Sequence, residues 1–191
     1  MPLYSLITSP SRCEWRFVMP TLADAGYTVV APNLRGFGYS DKPLDGFDVG
    51  TVAEDIRQVI ARLGRDEEKV RVVGHDVGSA VAYTWAATHP EQVEQLVLME
   101  GLPAGLEPSG AGTPMLQGRP LWHLAFGMTP DVPERLLADR ERIFIEFLSR
   151  RGCYDPMTFS DDSKQCGTES KACREEARDA GACNRSRAEL W

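Results

Sequence analysis

Short apolar runs and longer amphipathic stretches alternate along the first hundred residues. Runs rich in β-branched residues predict three buried strands, at Tyr27–Ala31, Val70–Gly74 and Val93–Met99. Apolar positions spaced three or four residues apart predict three helices, at Glu14–Ala25, Val52–Leu63 and Gly78–His89. Strands and helices that alternate in this way are typical of a parallel sheet with right-handed crossovers. We therefore predict an α/β fold built on a partial, doubly wound parallel sheet.

The pattern changes after Glu100. Residues 101–120 are rich in Gly and Pro, and the helical patterns at 121–127 and 133–151 do not continue the sheet. From residue 160 the only large apolar residues are Leu190 and Trp191, too few to offset the entropy of ordering this stretch. We predict a core fragment at 1–100, a helical lid or cap at 101–159 and a polar tail of low order at 160–191. An abrupt change of this kind would also fit a frameshifted or misjoined end.

Composition narrows the classes of partner. The 191 residues carry a net charge of −7, which disfavours nucleic acid and anionic membrane surfaces as partners. No apolar run approaches the length of a membrane span, and Met1–Pro10 lacks the basic residue of a signal peptide. The five cysteines form no CxxC pair, which favours reduced thiols in a cytoplasmic protein over a disulfide framework or zinc site. We expect no metal and no cofactor.

One candidate for chemistry is the segment Gly74-His-Asp-Val-Gly78, which joins a predicted strand to a predicted helix. The two glycines allow a sharp turn in which a Cβ would collide with the opposing backbone. Asp76 at the apex then lies beyond the carboxyl end of a strand, where ligands bind in open parallel sheets. Two interpretations remain open at this point, a nucleophile held out for reaction and a simple turn with a helix-capping aspartate.

A carboxylate at this position predicts a particular chemistry. The turn has the G-x-S-x-G pattern of a nucleophile elbow with Asp in place of Ser. An aspartate near a helix N-terminus is already ionised, so it needs no neighbouring base before it attacks. It suits displacement at a saturated carbon, such as an epoxide carbon, and leaves an alkyl ester that water must cleave. A carbonyl-hydrolysing esterase is disfavoured because no serine occupies the apex.

Further motifs in the chain resemble those of a known family. The loop Ala31-Pro-Asn-Leu-Arg-Gly-Phe-Gly-Tyr-Ser-Asp41 follows one predicted strand, and Glu14-Trp-Arg16 opens the first predicted helix. With Gly-His-Asp-Val-Gly and Trp122-His-Leu-Ala-Phe126, they closely resemble the α/β-hydrolase fold family, in its epoxide hydrolase and haloalkane dehalogenase branch. Val77, where dehalogenases usually carry a halide-binding tryptophan, favours the epoxide branch. The resemblance covers about residues 13–161 and indicates a chain truncated at both ends.

The resemblance implies a two-step mechanism on a small apolar electrophile. Asp76 would attack carbon, and the backbone N–H of Val77 would supply half of an oxyanion hole. Trp122 and His123 would line the pocket from the lid, or else pack in its core. A late histidine with an acidic partner would activate water, but neither is found at a matching position. We therefore expect impaired turnover.

Other family features are also missing or altered. Residues 6–10 stand where a His-Gly-x-Pro loop belongs, and the strands before it are expected to be absent. Arg35 is expected to fix its loop through backbone hydrogen bonds rather than to touch substrate. Tyr154 is a candidate for polarising an epoxide oxygen, although its sequence context does not match that of the family's lid tyrosines. The alternative to an enzyme is a non-catalytic remnant, in which exposed sheet edges at Tyr27–Ala31 or Val93–Met99 pair with another copy or a partner.

Overall fold

A four-stranded parallel sheet lies at the centre of the protein. The computed structural model describes residues 2–7, 12–101, 115–116, 119–120 and 122–152. The predicted tail at 160–191, Tyr154 and four of the five cysteines lie outside these residues. The strands are β1 (Leu3–Ile7), β2 (Thr28–Val30), β3 (Val70–His75) and β4 (Val93–Met99). Their order is β2-β1-β3-β4 with every pairing parallel, which confirms the predicted α/β class.

Strand β1 corrects the expectation that no strand precedes residues 6–10. It lies inside the sheet between β2 and β3, and three of its side chains, those of Leu3, Leu6 and Ile7, are at most 1% exposed. Ser5 is also fully buried. A central parallel strand is covered on both faces and therefore reads as an almost continuous apolar run rather than an alternating one. In the sequence, Tyr4 and Ser5 interrupt that run and conceal the strand.

The first predicted helix is two elements. Residues Arg12–Phe17 form a 3-10 helix, and helix α1 follows at Val18–Asp24. Pro20 explains the change, because proline lacks a backbone N–H and fits an α-helix only in its first turn. An α-helix that included Glu14 would place Pro20 in its interior. Gly26, with φ +87°, then ends the segment as predicted.

Helices α2 (Val49–Arg62) and α3 (Val77–Thr88) build the main core against the sheet. Helix α2 begins three residues before its predicted start because Asp48 caps it, accepting the backbone N–H of Thr51 at 2.9 Å. The buried side chains that share this core come from both helices, from β1 and β3 and from the loop after β2. They are Leu3, Ile7, Leu34, Val52, Ala53, Ile56, Ile60, Val70, Val72, Val81, Ala82 and Trp85.

Two strands form the edges of this sheet in the described part of the chain. Strand β2 is three residues long and only half-buried, which corrects the expectation of a buried strand at 27–31. An edge strand lacks a neighbour on one side, so it is covered less completely. Strand β4 has the predicted bounds, and its Val97 side chain is 45% exposed. These are the two edges that the sequence indicated.

The described segment after residue 121 is helical, as the lid pattern predicted. Its helices are α4 (Trp122–Met128), α5 (Val132–Leu137) and α6 (Glu141–Gly152). The pattern at 133–151 is thus divided between two helices, since Asp139 adopts a left-handed φ of 62° that interrupts helical geometry. A short antiparallel pair, β5 (Met115–Leu116) and β6 (Arg119–Pro120), was not predicted. Across the described residues, no helix has the length and apolar character needed to cross a membrane.

Candidate active site

The turn between β3 and α3 is sharp, as the sequence predicted, and its backbone is strained. Asp76 lies between the two elements with φ 53° and ψ −125°, values that L-residues with a side chain rarely adopt. A Cβ on Gly74 would lie 2.4 Å from the carbonyl oxygen of Gly78 and 2.7 Å from Cα of Ser79. The close approach of strand and helix therefore requires glycine at residue 74. Strain of this kind costs of order 1–3 kcal/mol and is characteristic of functional sites.

Asp76 does not act as a helix cap. It directly precedes α3, yet its side chain makes no capping hydrogen bond. The interpretation of Gly74–Gly78 as a turn with a capping aspartate is therefore wrong. The carboxylate is half-buried at the end of β3, at the edge of the sheet where ligands of open α/β folds bind.

Burial raises the pKa of Asp76 above its usual range, because the charged form loses solvent there. Several neighbours act on the same carboxyl group. The charge of His75, the nearby backbone N–H of Val77 and the charge of His123 lower its pKa, while the charge of Glu100 raises it. Val77 and His123, both predicted from the sequence, are thus close enough to act electrostatically on Asp76.

His75 lies between two carboxylates rather than over the nucleophile. Its Nδ1 atom contacts the Glu14 carboxylate, and its Nε2 atom lies 3.4 Å from Oε2 of Glu100. Because Glu14 precedes α1 and Glu100 follows β4, the imidazole connects three parts of the fold. Glu14 entered the sequence analysis only as part of a motif, and its proximity to the elbow depends on tertiary packing.

Glu100 is the site residue that the sequence analysis missed. It follows β4 directly and has a left-handed φ of 51°. A signal for it was present, since β3 and β4 are parallel neighbours and their carboxyl ends meet at one edge of the sheet. An acidic residue immediately after the second strand therefore had to lie beside the elbow. Its carboxylate is highly exposed, with 85% of the side-chain area accessible.

Trp122 and His123, which the resemblance placed in a lid, lie in two different environments. Trp122 packs in an aromatic cluster, with its ring centroid 6.1 Å from Phe126, 5.9 Å from Phe144 and 6.0 Å from Phe147. Trp122 thus contributes to the packing of α4 on α6, although 38% of the residue remains exposed. His123 is half-buried, and its charge lowers the pKa of Asp76. A substrate-binding role for these two residues stays a prediction.

Arg35 stabilises its loop in a different way from the one expected. Its guanidinium makes two hydrogen bonds of 2.7 Å to the carboxylate of Asp55 on α2, instead of bonds to the loop backbone. The ion pair ties the loop after β2 to α2. Arg35 is thus a structural residue, as predicted, but through a side-chain partner.

The structure does not place any of the chain's three histidines where the resemblance predicts the general base that activates water. His75 lies inside the elbow, His123 is on α4, and His89 is the residue that follows α3, at the far end of that helix. Among the described residues, no group of three acidic, histidine or cysteine side chains could hold a metal ion.

Comparison with known proteins identifies the family. The family model for the alpha/beta hydrolase fold matches residues 8–142. This chain belongs to the α/β-hydrolase fold family. The soluble epoxide hydrolase of Corynebacterium sp. (strain C12) is 38% identical to this α/β hydrolase over 152 residues, which are 78% of this chain and 52% of that protein. Epoxide hydrolase 1 of Caenorhabditis elegans is 33% identical over 154 residues, 78% of this chain and 37% of that protein.

Solved structures agree with this assignment. The epoxide hydrolase CorEH without ligand superposes with a TM-score of 0.80 at 32% identity, covering 90% of this α/β hydrolase and 61% of that chain. Cfl2 from Burkholderia cenocepacia superposes with a TM-score of 0.74 at 36% identity, covering 99% and 61% of the two chains. This is an epoxide-hydrolase-like α/β hydrolase, and it spans at most about half the length of these two curated relatives.

Proposed function

We propose that this chain performs the alkylation step of an epoxide-hydrolase-like reaction, with Asp76 as the nucleophile. The observation that carries the proposal is the backbone of Asp76, which is held at φ 53° on a tight turn with its carboxylate free of any capping role. The substrate would be a small apolar epoxide, since an ionised carboxylate displaces an oxygen from saturated carbon without a base.

In this step, one carboxylate oxygen of Asp76 forms a bond to an epoxide carbon while the carbon–oxygen bond of the ring breaks. The released oxygen needs a proton, and we assign His123 as the donor, because it is the lid residue whose charge acts on Asp76. The product is an alkyl ester on Asp76 that bears a hydroxyl group on the adjacent carbon.

Cleavage of that ester is a separate step with its own requirements. The backbone N–H of Val77 interacts with the Asp76 carboxyl group and would stabilise the oxyanion formed when water attacks. Activation of the water needs a general base, and we assign this role to none of the three histidines. Loss of such a base costs on the order of 10⁴-fold or more in comparable hydrolases, so the ester is expected to persist.

The test is intact mass spectrometry of the full chain after incubation with styrene oxide. We expect one stable adduct on the wild type, located on Asp76 by peptide mapping, and none on Asp76→Asn. An adduct that forms equally on Asp76→Asn would refute the assignment of the nucleophile. Diol released over many turnovers would refute the claim that the base is missing.

A second candidate function is a non-catalytic interaction module, and the sheet topology favours it. Strands β2 and β4 are edges in the described part of the chain, and exposed edges pair readily with further strands. The occupant would be a second copy of this chain. Light scattering after size-exclusion chromatography tests it: a concentration-dependent dimer supports edge pairing, and a compact monomer contradicts it.

A further inference from the structure

The hydroxyl group of Ser79 lies between the ends of two neighbouring strands. Ser79 is fully buried in the first turn of α3. Its Oγ atom lies 2.9 Å from the carbonyl oxygen of Gly74 in β3 and 2.9 Å from that of Met99 in β4. The backbone N–H of Met99 also donates to Oγ, at 3.3 Å. One side chain therefore connects the elbow to the end of the adjacent strand.

Backbone contacts make the same connection. The N–H of Asp76 donates to the carbonyl oxygen of Met99 at 3.0 Å, so this oxygen is contacted by both the nucleophile and Ser79. Gly101 lies directly on the elbow, since a Cβ there would be 2.3 Å from the carbonyl oxygen of Asp76 and 2.6 Å from Cβ of Ser79. The end of β4 and the elbow thus form one packed unit, which we call the strand-end clamp (Gly74, Asp76, Ser79, Met99 and Gly101).

We infer that Ser79 is a positioning residue that fixes Asp76 relative to Glu100 through the strand-end clamp. The inference rests on the proposed function of Asp76. Glu100 lies in the sequence between Met99 and Gly101, so the clamp fixes the residue on either side of it. Without the hydroxyl group, the N–H of Met99 loses an acceptor, and the carbonyl oxygens of Gly74 and Met99 lose the single O–H donor that they share. The nucleophile and its acidic neighbour would then be held by backbone contacts, which include the pairing of β3 with β4 and the Asp76–Met99 hydrogen bond, without a side chain that joins the two strand ends.

The chain offers a matched control. Ser5 in β1 is the other fully buried serine among the described residues, and its hydroxyl group has no hydrogen-bond partner there. Ser5→Ala and Ser79→Ala therefore remove the same buried atom, but only the second removes hydrogen bonds. Ser79→Cys keeps the size of the side chain with a weaker donor and serves as a second variant.

Two measurements on the full chain test the inference. The first is amide hydrogen exchange of Asp76 and Met99 by NMR without any epoxide. We expect exchange to be at least about tenfold faster in Ser79→Ala, intermediate in Ser79→Cys and unchanged in Ser5→Ala. The second is the kinetics of Asp76 alkylation by styrene oxide. In Ser79→Ala the maximal rate should fall at least about fivefold, while the half-saturating concentration stays within about twofold, because orientation is lost and binding is not.

The possible outcomes distinguish failure of the strand-end clamp from failure of the proposed function of Asp76. Unchanged exchange at both amides in Ser79→Ala overturns the clamp, as does an equal loss of alkylation rate in Ser5→Ala. If Ser79→Ala raises the half-saturating concentration of styrene oxide but leaves the maximal rate of alkylation unchanged, the positioning role is overturned. If the wild type is not alkylated at all, the proposed function fails, and accelerated exchange at Asp76 then still supports the clamp on its own. If Ser79→Ala does not fold, the same criteria apply to Ser79→Cys.

Discussion

Arg35 holds Asp55 with two parallel hydrogen bonds of 2.7 Å, so that the loop after β2 is tied to helix α2. The planar guanidinium matches both carboxylate oxygens at once, which a lysine ammonium does not. We therefore expect Arg35→Lys to lower the free energy of unfolding by about 1 kcal/mol, discounted for the partial exposure of the pair. Chemical denaturation measures it.

A matched control for Arg35 is Arg57, which makes the same two-bond contact to Glu54 but within α2 itself. Arg57→Lys should cost only a few tenths of a kcal/mol, roughly what an exposed pair within a helix contributes. Equal losses in the two variants would contradict the view that Arg35 acts by joining two segments of the fold.

Removal of the charge on Asp76 should stabilise the protein at neutral pH. Burial raises the pKa of Asp76, so the folded state holds its proton more tightly than the unfolded chain does. Stability therefore falls as pH rises above the ordinary pKa of an aspartate, about 4. Asp76→Asn avoids that cost and should raise Tm at pH 7, by ~2–4 °C for each kcal/mol recovered.

The gain from Asp76→Asn should shrink as pH falls through the raised pKa of the folded state and disappear below about 4, where the folded and unfolded wild type are both protonated at this residue. Thermal unfolding of the two proteins across pH 3–8 gives the comparison. A gain independent of pH would mean that the amide makes new contacts and that the charge is not responsible.

Asp48 should show the opposite dependence on pH. Hydrogen bonds from the side chain and the backbone N–H of Thr51 lower the pKa of Asp48, so the cap contributes stability above the ordinary aspartate pKa. We expect Asp48→Ala to cost about 1 kcal/mol at pH 7. That difference should disappear as pH falls through the lowered native pKa. Asp45→Ala, at an exposed aspartate three residues earlier, should leave unfolding unchanged.

His123 should govern the rate of alkylation. If it supplies the proton to the epoxide oxygen, His123→Phe should slow adduct formation about 100-fold or more, the usual contribution of a general acid. His89→Phe provides the control, since His89 lies at the opposite end of α3 from Asp76. Time-resolved intact mass gives both rates. A rate in His123→Phe within about twofold of the wild type would remove His123 from the proposed site.

The elbow and its flanking elements could be predicted because their signals are local. The glycines at 74 and 78, the β-branched run before them and the small residues after them all lie within about a dozen residues of Asp76. The bounds of β4 were also correct. Strand β1 escaped detection because Tyr4 and Ser5 interrupt the apolar run that a strand buried on both faces is expected to show.

The rest of the site depends on tertiary placement. Glu14 and Glu100 reach His75 from segments 61 residues before and 25 residues after it, and no periodicity connects them. The role of Ser79 likewise depends on the register that brings Met99 beside His75. The division of the first predicted helix at Pro20 could have been predicted, since the conflict is visible in the sequence.

Among the residues that the structure describes, the four non-glycine residues with left-handed backbones are all acidic, and two of them, Asp76 and Glu100, directly follow neighbouring strands of the sheet. The other described residues with this conformation are glycines, at residues 26, 36, 38, 46 and 64. Glycine would relieve the backbone at both strand ends. Selection for folding alone would therefore replace both acids over evolutionary time, and a carboxylate retained at either position across orthologues would reflect selection for chemistry.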